Sequence, residues 1–180
     1  MERLYTPWRM KYITSIHKKT GECVFCTVLT QGHHHDRENF ILYRGQAVFV
    51  LMNLYPYNTG HLMILPYDHV ATLSEVSAEA QYEMMALATY FIELLTQLMS
   101  PDGFNIGLNL GQAAGAGIDD HLHLHLVPRW SGDSNFMAVI GETRVLPEEL
   151  GDTYDRIMAL LKKQPPEILS STKEVDNVPK

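Results

Sequence analysis

The most regular hydrophobic pattern in the chain lies between residues 77 and 100. Apolar side chains recur there every three or four positions, which is the spacing that aligns them on one face of an α-helix. The positions are Met84, Leu87, Ala88, Phe91, Leu94, Leu95 and Leu98. Ser77 is a suitable N-cap, and Pro101-Asp102-Gly103 is a suitable end. The pattern predicts one long helix whose apolar face packs on a core.

Shorter runs of β-branched and aromatic residues flank this helix and predict five strands. They cover residues 40–43, 47–51, 61–66, 104–109 and 121–127. Arg44-Gly45-Gln46 joins the first two strands as a hairpin, and a proline follows or ends the third and the fifth. A second helix is predicted between Pro147 and Lys163, with Ile157, Leu160 and Leu161 on one side.

The remaining segments show no clear period. We expect an irregular arm or a short helix over residues 1–20, where aromatic and basic side chains mix. Residues 20–36 predict a solvent-exposed loop that contains the run His33-His34-His35, and residues 111–117 predict a loop rich in glycine and alanine. Residues 164–180 hold three prolines and mixed charge, so we expect a disordered or draped tail.

The composition is that of one compact domain, because 46% of the 180 residues are apolar and 19% are charged. A net charge of −7 gives no electrostatic reason to bind a nucleic acid polymer, which favours a clustered basic face. No apolar stretch approaches the roughly 18 residues that span a bilayer, and the first residues lack the apolar core of a signal peptide. We therefore expect a soluble, cytoplasmic protein that binds neither a membrane nor a nucleic acid polymer.

The fifth predicted strand carries the most informative chemistry, because His121, His123 and His125 alternate with leucines. Successive side chains of a strand point to opposite faces, so the imidazoles share one face and the leucines the other. A row of imidazoles adds little packing energy and risks repulsion between like charges. We therefore expect the leucines in the core and the histidines at a cleft, where imidazole can attack phosphorus, transfer a proton or bind a metal.

Both cysteines of the chain lie in Cys23-Val24-Phe25-Cys26, which is too few for a disulfide framework. Such a pair can be a redox couple, two core residues that are neighbours by chance, or half of a metal site. Together with His69 and His121, the pair would offer two thiolates and two imidazoles, a donor set that suits tetrahedral Zn²⁺. The residues by themselves leave these alternatives open.

Residues 121–127 read His-apolar-His-apolar-His-apolar-apolar, and at every position they resemble the signature of the histidine triad (HIT) superfamily of nucleotide hydrolases and transferases. Residues 4–10, 51–63, 107–111 and 127–130 are similar to its bacterial diadenosine tetraphosphate phosphorylase branch. The resemblance covers about residues 4–160. It implies an α+β, HIT-like fold, an antiparallel sheet with one long helix packed on it and a shorter C-terminal helix.

The resemblance also implies the organisation of the chain and its assembly. A HIT domain with an N-terminal arm and a zinc loop is expected over residues 1–163, and a polar tail over residues 164–180. Homodimers are common among such proteins, so we expect a homodimer here.

The resemblance implies roles for the triad. The middle histidine of the family is the nucleophile, so His123 is expected to attack the α-phosphate of a nucleotide and to hold it as a covalent phosphoramidate. His125 would contact phosphoryl oxygens or assist the leaving group, and His121 would orient His123. We expect nucleotidyl transfer from a dinucleoside polyphosphate, by phosphorolysis of diadenosine tetraphosphate. The alternatives are a hydrolase of nucleoside phosphoramidates or dinucleoside polyphosphates, and a zinc-stabilised nucleotide-binding module with little turnover.

Further nucleotide contacts are implied outside the triad. Asn109 occupies the place of an amide near phosphate or the nucleophile, and Gly115 belongs to a loop whose backbone amides can face an anion. His61 matches a fourth histidine found in many members. Asn53 stands where relatives often carry an aspartate for the ribose hydroxyls, and an amide can still donate and accept there.

Some HIT proteins hold zinc with two cysteines and two histidines, which implies that Cys23, Cys26, His69 and His121 bind a structural Zn²⁺ here. Asp119 and Asp120 depart from the family pattern just before the triad. Because two carboxylates would repel a polyphosphate, we expect both to point away from it.

Overall fold

A computed structural model describes residues 23–133 and 147–167 of the chain. The arm expected over residues 1–20 and most of the tail expected over residues 164–180 lie outside the described residues. Within them, no helix has the length and apolar character needed to cross a bilayer.

The described strands form one antiparallel sheet. They are β1 (Ile41–Arg44), β2 (Val48–Met52), β3 (Leu62–Pro66), β4 (Gly103–Leu108) and β5 (Leu124–Arg129), and their spatial order is β1–β2–β3–β5–β4. Every residue of β2 and β3 is buried, because both faces of these strands are covered. The five predicted strands and their antiparallel arrangement are confirmed.

Three helices of the described residues cover the two faces of the sheet: α1 (Val24–Thr30), α2 (Ala78–Met99) and α3 (Leu150–Leu161). α2 is the predicted long helix, and Ser77 caps it by accepting a hydrogen bond from the Ala80 N–H (3.1 Å). α3 falls inside its predicted range but begins after Pro147. α2 and α3 pack on one face of the sheet, whereas α1 packs on the other through Phe25, against residues such as Phe49 and Met63.

The prediction of a loop over residues 20–36 is wrong in part, because this segment contains α1 and a 3₁₀ turn at His33–His35. Seven residues are too few for a stable isolated helix, and the sequence of α1, VFCTVLT, is rich in β-branched residues. The helix therefore depends on the burial of Phe25 against the sheet. The three histidines of the 3₁₀ turn are exposed, as expected, and His35 pairs with Glu38 (2.8 Å).

The boundaries of the fifth strand also differ from the prediction of residues 121–127. The chain before β5 leaves the ladder, and the Leu122 N–H donates to Val70 O (2.7 Å) in the loop after β3. Pro128 lies inside β5 instead of ending it, because β3 pairs with β5 only as far as Leu126. On that side the missing N–H of proline removes no ladder hydrogen bond.

A buried carboxylate joins α2 to the β1–β2 turn. Glu83 is 3% exposed, and its two oxygens accept the backbone N–H groups of Gln46 (2.8 Å) and Ala47 (2.7 Å). A Cβ at Gly45 would lie 2.2 Å from Glu83 Oε1, so the turn needs glycine to admit the carboxylate. This contact fixes the hairpin relative to the helix.

Replacing Glu83 by alanine should lower the free energy of unfolding by about 1–3 kcal/mol, because two backbone donors lose their acceptor. Urea denaturation measures the change. Glu93→Ala, at an exposed position of the same helix, is the control and should shift stability by less than about 0.5 kcal/mol. Equal effects of the two substitutions would contradict the role of the buried carboxylate.

Candidate functional site

The three histidines of residues 121–125 lie on the α1 face of the sheet. His121, His123 and His125 are 1%, 7% and 8% exposed. The leucines between them belong to the opposite core, under α2. The predicted alternation therefore holds, although His121 and His123 precede β5, and the imidazoles are more buried than a row on an open surface would be.

A cleft with largely apolar walls opens over His123 and His125. Its other lining residues come from α1, the segment before β1, β2, the segment after β2, β3 and the loop before the triad: Val24, Phe25, Val28, Asn39, Leu51, Met52, Asn53, Leu54, Tyr55, Met63, Gly117 and Ile118. Apolar walls with a few converging polar groups are typical of sites for small molecules. This cleft can enclose a flat, apolar-faced group and bring its polar substituents to the imidazoles.

The backbone fixes the tautomer of His123. Its Nδ1 lies 2.8 Å from the carbonyl oxygen of His121. A carbonyl oxygen only accepts, so Nδ1 carries the hydrogen and donates it. The lone pair of the neutral ring then lies on Nε2, which is the nitrogen able to act as a nucleophile. Phe25 packs against the same imidazole, with ring centroids 5.5 Å apart.

His61 and His125 form a second imidazole pair with a defined direction. The Tyr57 backbone N–H donates to His61 Nδ1 (3.0 Å), so the neutral His61 ring carries its hydrogen on Nε2. That Nε2 donates to His125 Nδ1 at 3.0 Å. His125 in its neutral form then carries a hydrogen on Nε2. The amide nitrogen of Asn109 lies 3.4 Å from this Nε2 and is also a donor, so in this tautomer the two groups do not bond each other and both can donate to an anion. His125 can therefore donate to an anion while His123 presents a lone pair.

A polar clamp holds the turn that carries His61. The Asn58 amide donates to Pro128 O (3.1 Å) and to Asp133 Oδ2 (2.7 Å). Arg129 donates to both oxygens of Asp133, from Nε at 2.6 Å and from Nη2 at 2.8 Å. These contacts, with Arg129 the foremost, hold the pKa of Asp133 far below its usual range. Arg129 therefore anchors the end of β5 and, through Asp133 and Asn58, the turn before β3.

Two thiols and two imidazoles meet beside the triad. The ligand atoms of Cys23, Cys26, His69 and His121 all lie within 4.8 Å of one another. His121 Nδ1 is 3.4 Å from Cys23 Sγ and 3.7 Å from Cys26 Sγ, and His69 Nδ1 is 3.4 Å from Cys26 Sγ. Bonds of about 2.3 Å to sulfur and about 2.0–2.1 Å to nitrogen place these atoms about 3.6 Å apart in a tetrahedral zinc site. The four residues therefore fit such an ion.

Both imidazoles of this Cys–His cluster direct their second nitrogen to an acceptor. His121 Nε2 donates to Pro66 O (2.9 Å), and His69 Nε2 lies 3.8 Å from Asp120 Oδ2. Histidines that bind a metal commonly use the second N–H in this way, which fixes their tautomer and ring orientation. Asp120, expected only to point away from a polyphosphate, lies next to the Cys–His cluster.

Burial controls protonation in the Cys–His cluster. It raises the pKa of the Cys23 thiol to about 11 and lowers the pKa of His121. Without a metal, both groups are therefore neutral near pH 7, and a metal that binds there must displace thiol protons. The raised pKa makes the Cys23 thiol a poor nucleophile, unlike the low-pKa thiol of a reactive cysteine.

The remaining predicted residues differ in their distance from the cleft. Asn53 lines it, and the Asn53 amide lies 3.3 Å from His61 Nδ1. His61 is fully buried behind His125. Gly115 has a φ of 88° and is not one of the cleft-lining residues, which include Gly117 and Ile118 from the same region.

Sequence reasoning missed the α1 side of the cleft and the contact of Tyr57 with His61. Val24, Phe25 and Val28 have the i, i+1, i+4 spacing of a helix face, which is a signal that could have identified them. The Tyr57 ring lies 4.7 Å from the His61 ring. No local pattern marks this contact, because the geometry of the turn creates it.

Comparison with known proteins gives a consistent set of relatives. The family model described as HIT domain matches residues 35–132. AP-4-A phosphorylase of Mycobacterium tuberculosis is 38% identical over 171 residues, which cover 92% of this chain and 87% of the relative. Adenosine 5′-monophosphoramidase hnt1 of Schizosaccharomyces pombe is 22% identical over 140 residues, 78% of this chain and 98% of the relative.

Solved structures share the arrangement of sheet and helices. A zinc-bound histidine triad family protein from Mycobacterium smegmatis is 26% identical, with a TM-score of 0.63 over 79% of this chain and 95% of that protein. The diadenosine triphosphate hydrolase of Plasmodium falciparum has a TM-score of 0.57 at 16% identity, over 71% of this chain and 79% of that chain. At that identity the similarity concerns the fold alone.

The hydrogen-bond directions predict the tautomers of two buried histidines. Imidazole ¹⁵N shifts and long-range ¹H–¹⁵N correlations should show His123 protonated at Nδ1 and His61 protonated at Nε2, since a carbonyl and a backbone N–H determine the roles of their Nδ1 atoms. The exposed His34 is the internal control and should show averaged signals. A His123 ring protonated only at Nε2 would disprove the assigned direction.

Proposed function

The chain belongs to the HIT domain family, and from that premise we propose that it transfers a nucleotide from diadenosine tetraphosphate to inorganic phosphate. The observation that carries the proposal is the pair of opposed imidazoles at the cleft. His123 presents a lone pair on Nε2, and His125 presents a hydrogen on Nε2. A nucleophile beside a hydrogen-bond donor suits attack on a phosphate ester or anhydride. The phosphorylase named among the relatives supports this choice of substrate.

In the first step, Nε2 of His123 attacks the α-phosphorus of the substrate. A nitrogen–phosphorus bond forms, the bond from that phosphorus to its bridging oxygen breaks, and ATP leaves. AMP then remains on His123. The His121 carbonyl, which accepts from Nδ1 at 2.8 Å, stabilises the positive charge that grows on the ring, and the Nε2 hydrogen of His125 stabilises charge on the phosphoryl oxygens.

In the second step, an oxygen of inorganic phosphate attacks the same phosphorus. The nitrogen–phosphorus bond breaks, ADP leaves, and His123 returns to its starting state. One diadenosine tetraphosphate and one phosphate thus give one ATP and one ADP. With water as the acceptor, the products would be ATP and AMP, which is the hydrolase alternative. One relative is named as a monophosphoramidase, and this name supports the hydrolase alternative.

The residues around the imidazoles take supporting roles in this proposal. The apolar cleft holds the nucleoside, and Asn53 at its wall is placed to bond the ribose. His61 has no exposed surface, so we assign to it the positioning of His125 instead of a nucleotide contact. Asn109 lies beside His125 Nε2, where its amide can bond a phosphoryl oxygen. Gly115 donates its backbone N–H to Gln112 O (3.0 Å) and does not line the cleft, so it has no anion contact in this proposal.

We further propose that Cys23, Cys26, His69 and His121 bind one structural Zn²⁺. The support is the donor set, the spacing of the ligand atoms and the acceptors behind both histidines. A zinc-bound family member from Mycobacterium smegmatis agrees with this proposal. All four coordination positions would be filled by protein atoms, so the ion would supply cross-linking and no activated water.

We also propose that residues 1–163 form a single HIT domain and that the protein is a homodimer. β4 is an edge strand, and no other described strand pairs with its outer side. Its burial pattern includes consecutive exposed residues, among them Ile106. An edge of this kind can pair with the same edge of a second chain about a two-fold axis.

Replacing the proposed nucleophile tests the mechanism directly. His123→Asn should lower kcat by at least about 10³-fold while AMP binding stays within a few-fold, because no other group can form the covalent intermediate. Mass spectrometry of quenched wild-type enzyme should find AMP on His123. Turnover close to the wild-type rate, or AMP on another residue, would overturn the mechanism.

Product analysis tests the acceptor. With diadenosine tetraphosphate and saturating phosphate, chromatography should show ATP and ADP in equal amounts. Omitting phosphate is the control: each active site should release one ATP, and further ATP should then form only as slowly as water releases AMP from His123. AMP and ATP as the sole products at saturating phosphate would assign the protein to the hydrolases, and binding without turnover would assign it to the nucleotide-binding modules.

Removing the thiols tests the metal. Cys23→Ser with Cys26→Ser should eliminate bound zinc and lower the melting temperature by roughly 10 °C, because a structural ion is worth several kcal/mol. Measurable nucleotidyl transfer should remain. His34→Ala, which removes an exposed histidine outside the Cys–His cluster, should keep one zinc per chain by elemental analysis. Wild-type protein purified without zinc would contradict the site.

A further inference from the structure

α1 lies between the Cys–His cluster and the cleft, and it contributes to both. Cys23 and Cys26, at the start of the helix, face His69 and His121. Val24, Phe25 and Val28, which lie between and after the cysteines, line the cleft beside His123. One short segment therefore carries half of the metal ligands and one wall of the proposed nucleoside site.

Phe25 connects these two features directly. Its ring centroid lies 5.4 Å from the His121 ring, edge-on, and 5.5 Å from the His123 ring. The Phe25 side chain is 6% exposed and packs on the sheet. A displacement of α1 would move this ring, and with it the cleft wall and the packing of His123.

The sequence of α1 by itself stabilises the helix only weakly. It has seven residues, many of them β-branched, and its N-cap residue Cys23 makes no capping side-chain hydrogen bond. Among the described residues, the helix is held by the packing around Phe25, by the contacts of the two thiols with His69 and His121, and by a hydrogen bond from the Asn39 amide to Gln31 at its end (2.7 Å). A bound ion would replace the weak thiol contacts by two metal–sulfur bonds at the start of the helix, and two further bonds would join it to His69 and His121.

We infer that metal occupancy of the Cys–His cluster sets the affinity of the cleft for nucleotides, with α1 as the connecting element and Phe25 as the positioning side chain. The inference rests on the proposed function, because it concerns the same nucleoside site. Coupling between two binding sites is reciprocal. Zinc should tighten nucleotide binding, and nucleotide should tighten zinc binding by the same factor.

AMP is a suitable probe because it carries no anhydride bond and is not turned over. Isothermal titration should show AMP binding about tenfold more weakly to chelator-treated protein than to zinc-loaded protein, at a temperature where both keep the same far-UV circular dichroism. Competition with a chromophoric chelator should show zinc bound about tenfold more tightly at saturating AMP. Zinc binding with equal AMP affinity in both metal states would overturn the inference and leave the proposed function standing.

A matched pair of substitutions tests the role of Phe25. Phe25→Leu should bring the coupling factor close to one, because the shorter side chain loses the contacts with the imidazoles. Phe91→Leu makes the same change in the core on the opposite face and should keep the wild-type factor. Equal loss of coupling in both variants would show a general effect of destabilisation and would overturn the role of Phe25.

Cobalt provides a measurement that does not need metal-free protein. In Co²⁺-substituted protein, AMP should shift the absorption bands of the metal in the wild type and in Phe91→Leu, but not in Phe25→Leu. If metal-free protein unfolds, this experiment decides alone, and an unchanged wild-type spectrum at saturating AMP overturns the inference. Failure of AMP to bind any metal state would instead overturn the proposed function and the inference together.

Discussion

The alternation of side chains through residues 121–126 is the constraint on which the rest of the structure depends. Three leucines enter the core beneath α2, and that burial forces three histidines onto the opposite face. A slip of one residue would exchange the two sets, placing imidazoles in an apolar core and leucines at the cleft. The hydrophobic energy of the core thus holds the chemical groups in their place.

Directional hydrogen bonds then give each imidazole a different role. The carbonyl of His121 can only accept and the amide of Tyr57 can only donate, so each determines one nitrogen of the histidine it contacts. In neutral His123 the lone pair lies on Nε2, whereas in neutral His125 the hydrogen lies on Nε2. Identical side chains thus acquire opposite functions, because backbone groups of fixed polarity assign their protons.

The Cys–His cluster connects elements that the sheet alone would leave independent. Its ligands come from the start of α1, the segment after β3 and the segment before β5, and His121 belongs both to it and to the triad. The carbonyl of this residue orients His123, while its ring faces the thiols. The proposed metal site, the position of α1 and the orientation of the His123 ring therefore all involve His121.

The sequence by itself determined the elements that have a strong local period. The apolar repeat of α2, its Ser77 cap, the five strands and the alternation of histidine with leucine are all confirmed by the structure, and the HIT family assignment from residues 121–127 is confirmed by its relatives. These features are local, so the chain expresses them without reference to distant contacts. The spacing of the two cysteines is local too, but the sequence left its meaning open, and only the family resemblance implied that His69 and His121 complete the Cys–His cluster.

Tertiary structure alone decided the rest. α1 is helical because Phe25 is buried against the sheet, although its β-branched sequence favours other conformations. β5 continues through Pro128 because β3 begins at Leu62, opposite Leu126, and does not extend beside the proline. Asp120 meets His69 because the chain before the triad returns to the segment after β3. The tautomers of His61 and His123 follow from partners in space. Each of these depends on contacts between segments, and a pattern along one segment carries no information about the partner that completes it.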